Sequence, residues 1–192
     1  EVLAAAREKG ARVVGPNTLG IISPDESKIG MIGGRVEDVK KSYQKGHIGV
    51  MSRSGGMTTE IANLLTCNGY GQSTCVSVGG DPIVGSDFVD LLPLFCDDPE
   101  TKAVVLYSEP GGSAEERLAD YVTANQIKLP IVAFLAGKFV DDMEGVRFGH
   151  AGAIVEKGKG TTRAKKERLL EAGVHVADGL GDIPSILNSV LS

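Results

Sequence analysis

A histidine framed by glycines is the residue in this chain best presented for chemistry. In Arg147-Phe148-Gly149-His150-Ala151-Gly152-Ala153-Ile154, the glycines and small residues remove bulk and let the backbone turn sharply. A ligand or another chain could then come close to the imidazole. The same spacing also reads as a histidine on a flexible surface turn, so a role for His150 needs company from elsewhere. One source is Ser52-Arg53-Ser54-Gly55-Gly56, where an apolar run passes into a helix-like segment. Two hydroxyls and several unpaired backbone N–H groups at a helix N-terminus make an anion cradle. Each hydrogen bond to a charged group contributes about 1.5–3 kcal/mol, against about 0.3–1 kcal/mol from the macrodipole, so the oriented donors dominate. The simpler reading is that Ser52 or Ser54 is only a helix cap. A second source is Glu109, which ends another apolar run and could hold an imidazole N–H and fix its tautomer. Ser54, Glu109 and His150 also occur in the serine, acid, histidine order of a hydrolase. However, Ser52 stands where a nucleophile elbow carries glycine, and no HGGG-like oxyanion loop is present.

These residues fall at the ends of a regular series of elements. Apolar runs at 47–51, 74–78, 103–107, 131–136 and 174–177 alternate with helix-like segments at 56–68, 86–96, 113–126, 161–172 and 182–191. Strands apolar nearly throughout are covered on both faces, and strand–helix alternation gives parallel crossovers. The expected fold is α/β: an open, doubly wound parallel sheet, flavodoxin-like, of about five strands. In such sheets ligands bind outside the carboxyl ends of the strands. The turn Gly79-Gly80-Asp81-Pro82 leaves the second strand and reads equally well as a tight Asx-capped turn. Ser113 with Glu116 forms an expected capping box, which leaves Glu109 free of that duty. His47 and His175 open or sit inside strands and read as fold residues. Residues 1–10 read as a helix ending in glycine, and 12–14 as a short strand. Three regions follow: 1–20 as the tail of another domain, 21–46 as a connector, and 47–192 as the main domain.

Composition narrows the function classes. The 192 residues are 42% hydrophobic, enough for a real core. A net charge of −5, no tryptophan and 5% aromatics argue against nucleic acid as a partner. Cys67, Cys75 and Cys96 are far apart, lack CxxC spacing and adjoin apolar residues. They read as buried, reduced thiols of an intracellular protein, with no disulfide and no metal site. No apolar run approaches the roughly 20 residues that span a bilayer, so no membrane partner is expected. Gly152 to Thr161 has a phosphate-loop flavour without Walker spacing, and no GxGxxG follows a strand, so no nucleotide is assigned to this chain. The chain opens at Glu1 in what reads as mid-helix, as a fragment of something longer would.

Six ordered motifs extend the reading: GPNTLG (15–20), KIGMIGG (28–34), SRSGGMTTE (52–60), GQSTCVSVGGDPIVGSDFVD (71–90), SEPGGSAEE (108–116) and GHAGAI (149–154). Together they resemble the α subunit of succinyl-CoA synthetase and its relatives, the NDP-forming acyl-CoA ligases and ATP-citrate lyase. The resemblance implies that residues 1–20 are the tail of a CoA-binding Rossmann-like domain and 47–192 a ligase domain. It implies a phosphohistidine relay in which His150 carries a phosphoryl group from a nucleoside triphosphate to a carboxylic acid, whose acyl phosphate the CoA thiol then attacks. Ser52, Ser54, Gly55 and Gly56 would cradle the phosphoryl group, Glu109 would hold the ring, and Asn17 would contribute to CoA binding. ATP or GTP with Mg2+ would come through a β subunit or a fused β-like region, docked near Gly79, Gly80, Asp81 and Pro82. The expected acid is a dicarboxylate, succinate first. SRSGGM and RFGHAGA lean toward the citrate branch, and a non-catalytic assembly module is the alternative from another class. The expected location is the cytoplasm, or the mitochondrial matrix in a eukaryote.

Overall fold

The structure, a computed structural model, describes residues 1–142, 150, 152 and 160–192. The expectations on 147–149, 151 and 153–154, and most of the phosphate-loop-like run 152–161, lie outside those residues.

Among the described residues, seven strands form one mostly parallel sheet, two more than expected. They are β1 (Gly20–Ser23), β2 (Ser27–Gly30), β3 (Lys45–Ser52), β4 (Gln72–Ser77), β5 (Ala103–Ser108), β6 (Ile131–Leu135) and β7 (His175–Ala177). The order is β2-β1-β4-β3-β5-β6-β7, with β1 antiparallel to both its neighbours and the remaining pairs parallel. The two extra strands come from the stretch set aside as a connector. Residues 20–30 form a hairpin whose first strand pairs Ile21 with Val76 and Ile22 with Cys75. Its glycines and polar residues hid the alternation that would have marked it. The 12–14 run forms no strand: its backbone is irregular, and Val13 O accepts from Ser86 Oγ at 2.8 Å.

The helices are α1 (Val2–Glu8), α2 (Val36–Ser42), α3 (Gly55–Cys67), α4 (Phe88–Asp97), α5 (Ala114–Ala124), α6 (Thr162–Glu171) and α7 (Ile183–Leu191). Period-two alternation along β5 divides the core between the faces of the sheet. Val104 and Leu106 pack with Phe88, Leu92, Leu118 and Leu169, from α4, α5 and α6. Val105 and Tyr107 join Ile61, Leu65, Ile183 and Leu187, from α3 and α7. At about 25 cal/mol per Å2 of apolar surface, each such large side chain contributes about 1.5–3 kcal/mol by burial, so both layers hold the sheet. Only Cys75 of the three cysteines is buried; Cys67 and Cys96, on α3 and α4, are exposed. No described helix is long and apolar enough to cross a membrane.

The capping expectations divide. Ser54 caps α3, its Oγ accepting from Met57 N at 3.4 Å. The Ser113–Glu116 capping box does not form, because Ser113 Oγ accepts from Arg117 Nη1 at 2.8 Å instead. A reciprocal box does form at α4, where Asp87 pairs with Asp90.

Candidate functional site

Register brings the candidate turns to one edge. Ser52 pairs with both Ser77 and Tyr107, and Ser108 with Leu135, so β3, β4, β5 and β6 finish level. The chain leaves β3 toward β4 on one side and leaves β5 toward β6 on the other, which makes the β3–β5 gap a topological switch point. There the structure unites the predicted pair: His150 Nδ1 lies 2.7 Å from Glu109 Oε2, across 41 residues of sequence. The imidazole keeps 29% of its surface exposed, and the carboxylate 11%. Nδ1 is engaged by the carboxylate, and no hydrogen-bond partner of the other ring nitrogen lies among the described residues.

Gly79 and Gly80 are buried, and their close approaches are within this chain. Gly80 lies against the imidazole, and its carbonyl accepts from Gly152 N at 3.1 Å. Gly79 has a φ of 108° and faces the Asn17 carbonyl. Asn17 Nδ2 donates to Asp81 Oδ1 at 3.2 Å, tying the 15–20 loop to the turn after β4. Pro82 and Ile83 are exposed. Beside this turn an open cleft of about 440 Å3 is lined by Arg53, Asp81, Asp87, Ser113 and Arg117, among others.

The two hydroxyls of the expected cradle differ in what they bond. Ser52 is fully buried, donating to Ser54 O at 2.6 Å and accepting from Ser54 N at 3.1 Å, so its hydroxyl is spent locally. The Ser54 Oγ accepts as the cap and keeps its O–H to donate. What the helix start offers outward is its first amides, at Gly55 and Gly56, with open space beside Gly56. No hydrogen bond joins Ser54 to His150 among the described residues, so the hydrolase order has no geometric counterpart.

Three residues went unassigned by sequence reasoning. Behind the Glu109 turn lie Arg53, Glu115 and Lys165, all buried. Lys165 Nζ donates to the carbonyls of Glu109 at 2.8 Å and Gly111 at 2.6 Å. Arg53 Nη1 donates to the same two carbonyls at 3.2 and 3.0 Å. Glu115 lies between the two cations and offsets one of their charges: its Oε2 lies 2.6 Å from Lys165 Nζ and its Oε1 3.8 Å from Arg53, while Ser108 donates to Oε1. Removing one partner from a buried ion pair costs about 3–5 kcal/mol, because the remaining charge is left uncompensated. Arg53 sat inside a quoted motif, but its target is a turn 56 residues away.

A protein-family comparison then decides the assignment: the CoA-ligase model matches residues 51–175, most of the chain, with β4, β5, β6 and the end of β3. The chain belongs to the CoA-ligase family. Among curated relatives it is 43% identical over its full length to the ADP-forming sulfoacetate-CoA ligase subunit SauD of Bilophila wadsworthia, covering 64% of that protein. It is 47% identical to the succinate–CoA ligase [ADP-forming] subunit alpha of Methanothermobacter thermautotrophicus, over 93% of this chain and 57% of that one. Among solved structures, ATP citrate lyase from Methanosaeta concilii in complex with (3S)-citryl-CoA superposes with a TM-score of 0.91 at 32% identity, over 98% of this chain and 31% of that one. The chain therefore spans about 60% of the length of the curated relatives it matches. CoA-ligase membership agrees with the resemblance carried by the six motifs, and the fold agrees with an α/β doubly wound sheet.

Proposed function

We propose that this chain is the ligase module of an NDP-forming acid–CoA ligase and that His150 is its phosphoryl carrier. The contact between His150 Nδ1 and Glu109 at 2.7 Å carries the reading, because it leaves Nε2 to act at the carboxyl edge of the sheet, where α3 also begins. Nε2 attacks the terminal phosphorus of a nucleoside triphosphate, the P–O bond to the diphosphate breaks, and Glu109 stabilises the imidazolium that forms. The phosphoryl group then passes to a carboxylate oxygen of the acid, which restores the imidazole. The thiol of CoA displaces phosphate from the acyl phosphate and gives the thioester. The amides of Gly55 and Gly56 compensate the phosphoryl charge during the relay.

The nucleotide, with ATP and GTP both open, comes with Mg2+ through a β subunit or a fused β-like region. The exposed Pro82–Ile83 tip of the turn after β4 is the surface for that partner. Asn17 joins the CoA contacts, and residues 1–20 belong to a CoA-binding domain. Relatives named for succinate and for sulfoacetate both point to a small acid with a second anionic group, with succinate the first candidate. Cytoplasmic location follows the same reading. The deciding experiment is incubation with a partner subunit and labelled nucleoside triphosphate. An acid-labile, base-stable label that disappears in His150→Asn supports the relay, and a label that survives that change overturns it.

A further inference from the structure

The turn that carries Glu109 is held from behind by charge. Glu109-Pro110-Gly111 follows β5 directly, and its middle residue has no N–H to donate. Two carbonyls of the turn, at 109 and 111, accept from Lys165 and Arg53 alike, so each carbonyl receives two charge-assisted hydrogen bonds. Lys165 is wholly buried, as is Glu115, while Arg53 is 7% exposed. Burying two cations and one carboxylate is costly where apolar residues would fill the same volume, and such clusters persist where they fix a geometry. The turn is also closed by backbone: Gly111 N donates to Gly160 O at 2.9 Å. Every element needed to fix the turn is therefore present, and the residue so fixed is the one that touches His150.

We infer that Lys165 and Arg53, balanced by Glu115, are positioning residues that set Glu109 against His150. Among the described residues neither cation hydrogen-bonds to the imidazole, and both act through the main chain of the Glu109 turn. This rests on the proposed role of His150 for its effect on rate, but its geometric content stands apart from that role. Lys165 supplies the cleaner test, since Arg53 also lines the neighbouring cleft. In Lys165→Met the turn loses one of its two cations, and the Glu109 carboxylate is no longer held at the ring nitrogen.

The experiment is nuclear magnetic resonance of the ring N–H protons, with phosphorylation measured in parallel. A ring N–H held by a carboxylate gives a downfield, slowly exchanging resonance. His47, whose Nδ1 lies 2.9 Å from the Glu100 carbonyl far from this turn, is the internal control. The expected result for Lys165→Met is loss of the His150 resonance with the His47 resonance unchanged. Single-turnover phosphorylation should fall about a hundredfold, with the apparent affinity for nucleotide unaltered. Because the single variant leaves Glu115 with only Arg53, 3.8 Å away, the double variant Lys165→Met with Glu115→Gln keeps the net charge of the cluster at its unaltered value and serves where the single one does not fold. A folded protein of either type that keeps the His150 resonance overturns the inference. Loss of the resonance in the variant, with no phosphorylation even of the unaltered chain, would uphold the positioning role and refute the relay.

Discussion

Gly80 lies flat against the ring of His150. A methyl group at residue 80 would fall inside the van der Waals radii of Cγ and Nδ1 of that ring, the very nitrogen that meets Glu109. The turn after β4 thus forms a floor on which the imidazole rests. Gly80→Ala is expected to push the ring off Glu109 and to lower the rate of His150 phosphorylation by at least about tenfold. Far-ultraviolet circular dichroism should be unchanged, since the residue ends no element. Phosphorylation at the unaltered rate would show that the ring tolerates the shift and that the floor is dispensable.

Glu109→Gln keeps the shape of the side chain and removes its charge. Phosphoryl transfer should slow by about a hundredfold, because a neutral amide stabilises the developing imidazolium poorly. The urea midpoint should move little, the carboxylate being tied to the ring rather than to the core. Equal single-turnover rates for the two proteins would remove Glu109 from the mechanism.

An anion is expected at the start of α3, on the amides of Gly55 and Gly56. A structure determined in phosphate or sulfate should place the ion there, within reach of Nε2 of His150. Because Ser54 serves as the cap, Ser54→Ala should cost about 1 kcal/mol of stability, read from denaturant midpoints. An ion seen only elsewhere would separate the helix end from the relay.

Alkaline pH should unfold the chain through groups that burial keeps protonated. The Tyr107 hydroxyl is pushed up from 10.0 to about 12 by burial, with Glu109 adding to the shift and Arg53 opposing it. Burial raises Tyr43 and Cys75 in the same direction. The folded chain then holds each proton more tightly than the unfolded chain does. Stability from Tyr107 is therefore intact below its unfolded value and is lost as pH rises through the folded one. Denaturant midpoints measured from about pH 8 to about pH 11 should fall toward the alkaline end, and Tyr107→Phe should flatten that fall. A flat profile for the unaltered protein would contradict the shift.

The isolated chain should form no acyl-CoA. On the proposed reading residues 1–20 are the tail of a CoA domain and the nucleotide comes through a partner, so two of the three substrates need surfaces from elsewhere. Assay with and without a cognate β subunit, in the presence of nucleoside triphosphate, acid and CoA, distinguishes the cases. Robust thioester formation by the chain alone would refute the partner requirement. A folded chain that no β subunit phosphorylates would favour the non-catalytic assembly module.

Much of the sheet was legible because buried parallel strands must be apolar throughout. β3, β4, β5, β6 and β7 all coincide with apolar runs to within two residues or so. The hairpin β1–β2 was not, because its residues are glycine, serine and lysine as often as isoleucine. It is a strand pair by virtue of the β4 edge it completes, which is a tertiary fact. Cys67 and Cys96 adjoin apolar residues in sequence, but only helix orientation decides which face looks outward.

At the site, residue type alone singled out His150, Glu109 and the glycines, since a presentable imidazole, a strand-end carboxylate and a bulk-free turn are local properties. Their meeting point was settled by strand register, which brings the ends of β3, β4 and β5 level. Whether Ser52 and Ser54 serve an anion or their own backbone is decided by what each hydroxyl bonds: Ser52 is used up on Ser54, whereas Ser54 caps α3 and keeps its O–H. Lys165 and Glu115 gave no signal at all, one being an ordinary-looking helix lysine and the other a first-turn glutamate. Their burial together, 50 residues apart, arises only when α5 and α6 pack on the same face of the sheet, and a buried charge takes its meaning from the partners that packing supplies.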